Sequence, residues 1–136
     1  MKTFKLAELI LYPTNQDSLE GKEMQLTEGL IINKEEDNEW VLEAVLGKED
    51  LVIVSKLSQE GNVVLAQVRI TKPENRPALF LIQVQEVNDL EEEGNVIMRG
   101  NLRREDRLDL LTTIKRLRKE GKAESEILVN GTGLAE

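Results

Sequence analysis

Apolar and polar residues alternate along much of the first hundred positions, with the period of two that is typical of β-strands buried on one face. The alternation is clearest over residues 39–46, where Trp40, Leu42, Ala44 and Leu46 fall on the same face. Clusters of Pro, Gly, Asn and Asp separate the alternating segments and predict turns between them. Six strands are therefore predicted, over residues 2–11, 24–32, 39–46, 62–72, 78–87 and 96–102.

The alternation also predicts which side chains face the core, because successive residues of a strand point to opposite faces. In the first strand, Phe4, Leu6 and Ile10 fall on one face, and Thr3, Lys5 and Ala7 fall on the other. In the two strands that span residues 62–87, the predicted inward residues are Val64, Ala66, Val68, Ile70, Phe80, Ile82 and Val84.

Two strands depart from simple alternation. Gly29 interrupts the second strand and predicts a bend or a bulge at that position. The strand over residues 78–87 carries Leu79 and Leu81 on the face opposite its inward residues. That second apolar face predicts a strand that is covered on both sides.

Residues 48–60 carry signals of both helix and strand. Val and Ile in the middle favour a strand. Acidic residues in the first turn and Gly61 after the last residue are typical of a helix, as is the spacing of Leu57 four residues after Ile53. We predict a short helix here, with a strand as the alternative.

A second helix is predicted over residues 104–120, where the period changes from two to that of an amphipathic helix. Gly121 is a suitable residue to end it. Its apolar stripe takes up about half of the circumference at 100° per residue. The stripe consists of Leu108, Leu110, Leu111, Ile114 and Leu117.

Consecutive strands joined by short turns imply antiparallel pairing, and a set of about six such strands hides its edges best by closing into a barrel. The predicted fold is therefore mainly β, of the α+β type. It is a small antiparallel β-barrel with a short inserted helix and a C-terminal amphipathic helix packed outside. Residues 1–136 form one domain in this prediction, with a barrel core over 1–102, a helix over 103–122 and a tail over 123–136.

The residue inventory limits the chemistry of the chain. There is no Cys and no His among the 136 residues. Disulfides, thiol nucleophiles, Cys-based zinc sites and Ser-His-Asp triads are thereby excluded. We expect a protein that is not an enzyme and has no cofactor and no bound metal. No segment has the length of a membrane span, and a cytoplasmic location is the expectation.

Charge is distributed unevenly along the chain. Residues 1–98 carry 9 basic against 19 acidic residues, whereas residues 99–122 carry 9 basic against 4 acidic residues. The order of acids first and bases last also complements a helix dipole, and a basic helix can dock on the acidic barrel of its own chain. A basic surface that contacts an acidic protein is the functional alternative, and nucleic acid is not expected, given the net charge of −8. The candidate protein-contact residues are Lys115, Arg116, Lys119 and Lys122.

Other candidate sites have simpler structural explanations. The acidic runs at residues 35–37 and 91–93 contain enough carboxylates to suggest a divalent cation, but neither has the spacing of a calcium loop. We interpret both as solvated turns. Trp40 is interpreted as a core residue rather than a platform for stacking a ligand, because it lies on a regularly alternating strand.

Short motifs resemble those of a known family. Residues 1–6 (Met-Lys-Thr-Phe-Lys-Leu), residues 29–34 (Gly-Leu-Ile-Ile-Asn-Lys) and the strand that contains Trp40 resemble the YwpF-like proteins, a small uncharacterised bacterial family. The total length matches as well, so the resemblance covers the whole chain. Residues 51–54 (Leu-Val-Ile-Val) depart from it, since relatives look more aromatic after Gly47.

The resemblance implies a β-barrel core with a pair of helices. It also implies a barrel similar to the Hcp-type tube protein of type VI secretion systems. It brings no catalytic residues. The leading hypothesis is thus a non-enzymatic barrel that acts through protein contacts, with a homo-oligomer or a secretion-related component as one version. The alternatives are a barrel that binds a small molecule or lipid and, third, a carboxylate hydrolase.

Overall fold

The computed structural model describes residues 1–13, 21–61 and 63–103, and the single residue Lys119. The predicted helix over residues 104–120 lies outside the described residues apart from Lys119, which is helical and exposed. The tail over 123–136 lies outside them as well. The described elements are β1 (Lys2–Pro13), β2 (Lys22–Glu23), β3 (Leu26–Asn33), β4 (Glu39–Gly47), α1 (Lys48–Glu60), β5 (Val64–Ile70), β6 (Ala78–Asp89) and β7 (Glu93–Arg103).

Six of these strands close into an antiparallel barrel in the order β1-β3-β4-β7-β6-β5, and β5 pairs again with β1. The long strand β1 makes the closure, since residues 2–5 pair with β3 and residues 6–13 pair with β5. The two-residue strand β2 pairs with β1 at Ile10 and Leu11. The predicted barrel and its antiparallel pairing are confirmed.

A β-bulge in β1 overturns one prediction about the core. The register with β5 shifts between Leu6 and Glu8, so the parity of the strand reverses at this point. Leu9 and Leu11 therefore face the interior, both essentially inaccessible to solvent. Ile10, which was predicted to share one face with Phe4 and Leu6, packs in a separate cluster on the outer face. A single extra residue is enough to exchange the two faces.

The second strand also differs from its prediction in detail. Its irregularity lies between Leu26 and Glu28 and not at Gly29. Gly29 is instead a point of close approach, because a Cβ there would lie 2.9 Å from the Cβ of Leu6. The glycine thus serves the packing of β1 against β3. Met24 precedes β3, and its N–H donates to the carbonyl of Leu9 at 2.9 Å.

The barrel interior is one apolar cluster, as predicted for β4, β5 and β6. The inward residues of these strands are almost completely buried, except Ile70 at the end of β5, which is partly buried against the cluster. Trp40 is only 8% exposed and meets Phe80 edge-to-face, with ring centroids 5.3 Å apart. Its interpretation as a core residue is confirmed. The predicted second apolar face of β6 is confirmed too, since Leu79 and Leu81 are buried on the outside of the barrel.

Helix α1 closes one end of the barrel, and the helix predicted over residues 48–60 is confirmed. Gly61 ends the helix with φ of 68°, and its N–H bonds to the carbonyls of Leu57 and Ser58. The buried side chains of Leu51, Val54 and Leu57 belong to the same cluster as the barrel interior. The helix therefore forms the floor of the core rather than a separate layer on the outside.

A buried carboxylate joins this helix to the start of β3. Asp50 lies in the first turn of α1 and is 6% exposed. One of its oxygens accepts the backbone N–H of Gln25 at 2.7 Å. A carboxylate in the first turn also interacts favourably with the helix dipole. Asp50 thus fixes the connection between β2 and β3 against the end of the barrel.

Asn38 organises the opposite end of the barrel. It occupies the left-handed region at φ of 54°, which Asn tolerates better than most residues. Its amide Nδ2 donates to the carbonyl of Leu102 at 2.8 Å, while its Oδ1 accepts the indole N–H of Trp40 at 3.3 Å. Asn101 donates in turn to the Asn38 carbonyl at 2.8 Å. One turn residue therefore connects the β3–β4 hairpin, the core tryptophan and the end of β7.

We expect Gly100→Ala to destabilise the barrel strongly. A Cβ at Gly100 would lie 1.9 Å from the carbonyl oxygen of Leu81, a backbone atom that moves only if β6 moves. The expected loss in the free energy of unfolding is about 3 kcal/mol. Urea unfolding followed by the fluorescence of Trp40, the single tryptophan of the chain, measures it.

Gly47→Ala is the matched control for this substitution. A Cβ at Gly47 has nothing within 4 Å and the residue has φ of −71°. The expected cost is below about 1 kcal/mol, the range of a weakened helix N-cap. Equal losses in the two variants would show that the close approach of β6 and β7 at Gly100 is not a constraint on the fold.

Two substitutions at Asn38 separate its backbone role from its side-chain role. Asn38→Gly keeps the left-handed conformation and removes the three side-chain hydrogen bonds, so we expect a loss of about 1–3 kcal/mol. Asn38→Ala adds the strain of a Cβ in that region, and about 1 kcal/mol more should be lost. Urea unfolding measures both. Wild-type stability in Asn38→Gly would show that the side-chain contacts contribute nothing.

Candidate functional site

The exposed face of α1 borders an open groove at the closed end of the barrel. The buried face of α1 is directed to the core, so the residues between its buried positions remain on the surface. Val52 is among these and is 69% exposed. The groove has a volume of about 450 Å³ and is lined by Lys48, Leu51, Val52, Ser55, Lys56, Gln59 and Asp89.

Asp89, the last residue of β6, contributes to the groove lining beside the residues of α1, and the β6–β7 turn follows it. The ammonium group of Lys48 contacts the carboxylate of Asp89 and the backbone carbonyl of Leu90. The N–H of Leu90 donates to the carbonyl of Glu93 at 3.0 Å and closes the turn. The Leu90 residue itself is 57% exposed. Lys48 thus attaches the β6–β7 turn to the first turn of the helix.

The chemistry of the groove is that of a contact surface. Its apolar part is Val52 with the edge of Leu51. Its polar part consists of the ion pair of Lys48 with Asp89, the hydroxyl of Ser55, the amide of Gln59 and the ammonium of Lys56. An apolar centre with a polar rim is the usual composition of a protein interface. The arrangement can bind a protein segment.

The groove was not predicted from the sequence. At 100° per residue, Val52 lies on the side of α1 opposite the stripe formed by Leu51, Val54 and Leu57. A valine opposite the buried stripe indicates an exposed apolar residue, and it could have been recognised once residues 48–60 were assigned to a helix. The contribution of Asp89 depends on how β6 packs beside α1, which no local pattern fixes.

Comparison with known proteins places the chain in a family. The family model described as YwpF-like protein matches residues 2–131. The chain belongs to the YwpF-like family. It is 34% identical over 122 residues to the uncharacterised protein YwpF of Bacillus subtilis, a match that covers 89% of this chain and 90% of that protein. The resemblance noted from the sequence is thereby confirmed at the level of the family.

A solved structure supports the fold of this YwpF-like chain. The crystal structure of a hypothetical protein from Staphylococcus aureus is similar with a TM-score of 0.70 and 27% sequence identity. The similarity covers 79% of this chain and 73% of that one. These matches support the family and the mostly β fold. They do not support the likeness to Hcp-type tube proteins, which rests on the sequence resemblance alone.

Most of the predicted contact residues of the YwpF-like chain cannot be assigned to a site. Lys115, Arg116 and Lys122 lie outside the described residues. Lys119 is described, and it is helical and exposed. The proposed basic surface thus stays a prediction. No helix within the described ranges is long and apolar enough to cross a membrane.

The acidic turns do not assemble a cation site within the part of the chain that the structure describes, where no group of three or more potential metal ligands occurs. The turn at residues 35–37 is stabilised locally instead. The Glu35 carboxylate accepts a hydrogen bond from the N-terminal ammonium of Met1, which lowers the pKa of Glu35 below its ordinary value. Its backbone N–H donates to the Asn33 side chain at 2.8 Å. Glu35 is therefore already engaged by a cation of its own chain.

Removal of the Lys48 ammonium should loosen the β6–β7 turn. We expect Lys48→Met to raise the rate of amide hydrogen exchange at Leu90 up to about fivefold, which corresponds to the loss of an exposed ion pair of about 1 kcal/mol. Heteronuclear NMR measures the exchange. Lys56→Met is the control, because Lys56 lines the same groove. Equal effects in the two variants would contradict the role of Lys48 in holding the turn.

Proposed function

We propose that this YwpF-like protein is a non-enzymatic barrel that acts by binding a protein partner in the groove lined by α1 and Asp89. The observation that carries the proposal is the exposure of Val52, which lines the groove and is 69% exposed. Isolated exposed apolar residues are common on protein surfaces. Val52 differs from these because it lies in a concave site with polar residues around it, which is the arrangement that a contact surface needs.

The size and charge of the groove indicate the kind of partner. A groove of about 450 Å³ accepts a few side chains of a partner segment and not a whole domain face. Interfaces that small are transient unless further surface joins them. The apolar centre favours an aliphatic or aromatic side chain, and Lys56 at the rim favours an acidic neighbour of that side chain. The partner we propose is thus a short amphipathic segment with acidic residues.

The basic residues predicted from the sequence supply a second surface for the same function. Lys115, Arg116, Lys119 and Lys122 carry positive charge in a protein of net charge −8. In the self-assembly version of the proposal the partner is a second copy, and basic and acidic surfaces meet head-to-tail. The secretion-related version has the family resemblance as its only support. Light scattering at low salt and high concentration tests assembly, and a strictly monomeric mass would remove that version.

The alternative of a barrel that binds a small molecule or lipid has less support. The inward side chains of the described strands are buried against one another, among them Leu6, Leu42, Phe80 and Met98. Small barrels of this kind are filled by their own side chains. The surface, and not the interior, is where we place the function.

A matched pair of variants tests the groove. Partners are captured with the wild-type protein and identified, and the affinity of the purified partner is then measured by titration calorimetry. Val52→Glu places a charge in the apolar centre and should weaken binding at least tenfold. Leu30→Glu is the control, since Leu30 is an exposed apolar residue on β3, 44% accessible and absent from the groove lining. Equal affinities in all three proteins would contradict the proposal.

Charge reversal separates the two surfaces. The triple variant Lys115→Glu, Arg116→Glu and Lys119→Glu leaves the groove residues intact. If the partner uses the basic residues as well, its affinity should fall at least tenfold and the wild-type affinity should decline with added salt. Unchanged affinity in the triple variant would show that the basic residues are not part of the docking surface.

A further inference from the structure

A second apolar cluster lies on the outside of the barrel. It consists of Ile10, Tyr12, Val63, Leu65, Leu79 and Leu81, from β1, β5, β6 and the residue before β5, and we call it the outer face. Leu65 is inaccessible to solvent, and Leu79 and Leu81 are 5% and 4% exposed. Side chains on the outer face of a barrel reach such low exposure only under a second layer of structure.

Within the described ranges, the packed elements do not supply that layer. Helix α1 packs against β4, β6 and β7, and its buried side chains belong to the interior cluster and not to the outer face. Gly21 lies against Ile10 and Tyr12 at one edge only. Residues 14–20 have a single large apolar residue, Leu19, which is too little to cover six apolar side chains.

The chain after β7 begins at this face. Arg103, the last residue of β7, pairs with Leu79 of the outer face. Three residues that form or border the outer face have interactions beyond those described above: Tyr12, Val63 and Arg103. Residues 104–136 thus start beside the cluster, and the apolar residues of 104–120 fall on one side of a helix at 100° per residue.

The width of a helix also agrees with the width of the outer face. A helix over residues 104–120 would be about 25 Å long and about 10–12 Å wide with its side chains. Three adjacent strands at about 4.8 Å spacing span about 10 Å between the outer two. One helix is therefore wide enough to cover β1, β5 and β6 together.

We propose that the outer face is the docking site of residues 104–120 of the same chain, held by Leu110, Ile114 and Leu117. In this arrangement Arg116 points away from the barrel, and the basic residues of the second half of the segment stay available to a partner. The exposure of Lys119 is consistent with it. The proposal does not rest on the proposed function, since it concerns a contact within one chain.

The absence of cysteine from the sequence makes disulfide mapping a direct test. Leu79→Cys in the full chain is combined in turn with Leu110→Cys, Ile114→Cys or Leu117→Cys, and the purified proteins are oxidised. A disulfide needs Cα atoms within about 7 Å, so at least one pair should form an intrachain bond, visible by mass spectrometry and gel mobility. Ile10→Cys, at a half-buried edge of the face, replaces Leu79→Cys as the anchor if the latter fails to fold.

Two controls make the result specific. Leu79→Cys with Arg116→Cys probes the opposite side of the segment, and Leu30→Cys with Ile114→Cys probes β3, outside the outer face. Both should form the intrachain bond at least fivefold more slowly. Bond formation in the controls at the same rate as in the test pairs would overturn the proposal. Formation of interchain bonds alone would also overturn it, in favour of a second copy of the chain on the outer face. An intrachain bond from Leu128→Cys but from none of the three stripe positions would overturn it in favour of the tail.

Discussion

The architecture depends on one strand that is hydrogen-bonded along both of its edges. Strand β1 pairs with β3 in its first half and with β5 in its second, and these two strands are the ends of the row β3-β4-β7-β6-β5. Without this double pairing the row would be an open sheet with two unpaired edges, which are templates for aggregation. The closure satisfies both edges at once and encloses the apolar cluster.

The bulge in β1 allows the strand to pair with both β3 and β5 and to direct apolar side chains to the interior in both halves. Its first half directs Leu6 and the partly buried Phe4 to the interior, and its second half buries Leu9 and Leu11 because the parity changes between Leu6 and Glu8. The same change directs Ile10 and Tyr12 outward, where Tyr12 donates to the buried amide of Gln67 at 3.1 Å. Glu8, just after the bulge, accepts a hydrogen bond from Arg69 at 2.8 Å, and this fixes the new register with β5. The outer apolar face is therefore a consequence of the way the barrel closes.

The sequence predicted most of the fold where the strands are regular and failed where they are not. The inner faces of β4, β5 and β6 were predicted correctly, because the alternation of apolar and polar residues is visible within each strand alone. The bulge in β1 has no composition signal: Ala7 is not a glycine, and only the pairing with β5 reveals the extra residue. Gly29 led to the wrong prediction of a bend or bulge, because its role is to make room for the Leu6 side chain of another strand. Local patterns thus predicted the elements, and contacts between distant residues decided their irregularities.

The candidate site was less predictable than the fold, because exposure is a property of the assembled structure. Charge pointed to the basic residues 115–122, since charge can be counted without knowing the packing. Val52 lies in a segment with signals of both helix and strand, so its position opposite the buried stripe is recognised only once that segment is assigned to a helix. Its place in a groove beside Asp89 follows from the packing of α1 against β6 and β7. A protein whose interior is occupied by its own side chains interacts through its surface. The apolar residues that the fold leaves uncovered are therefore the most informative positions for function.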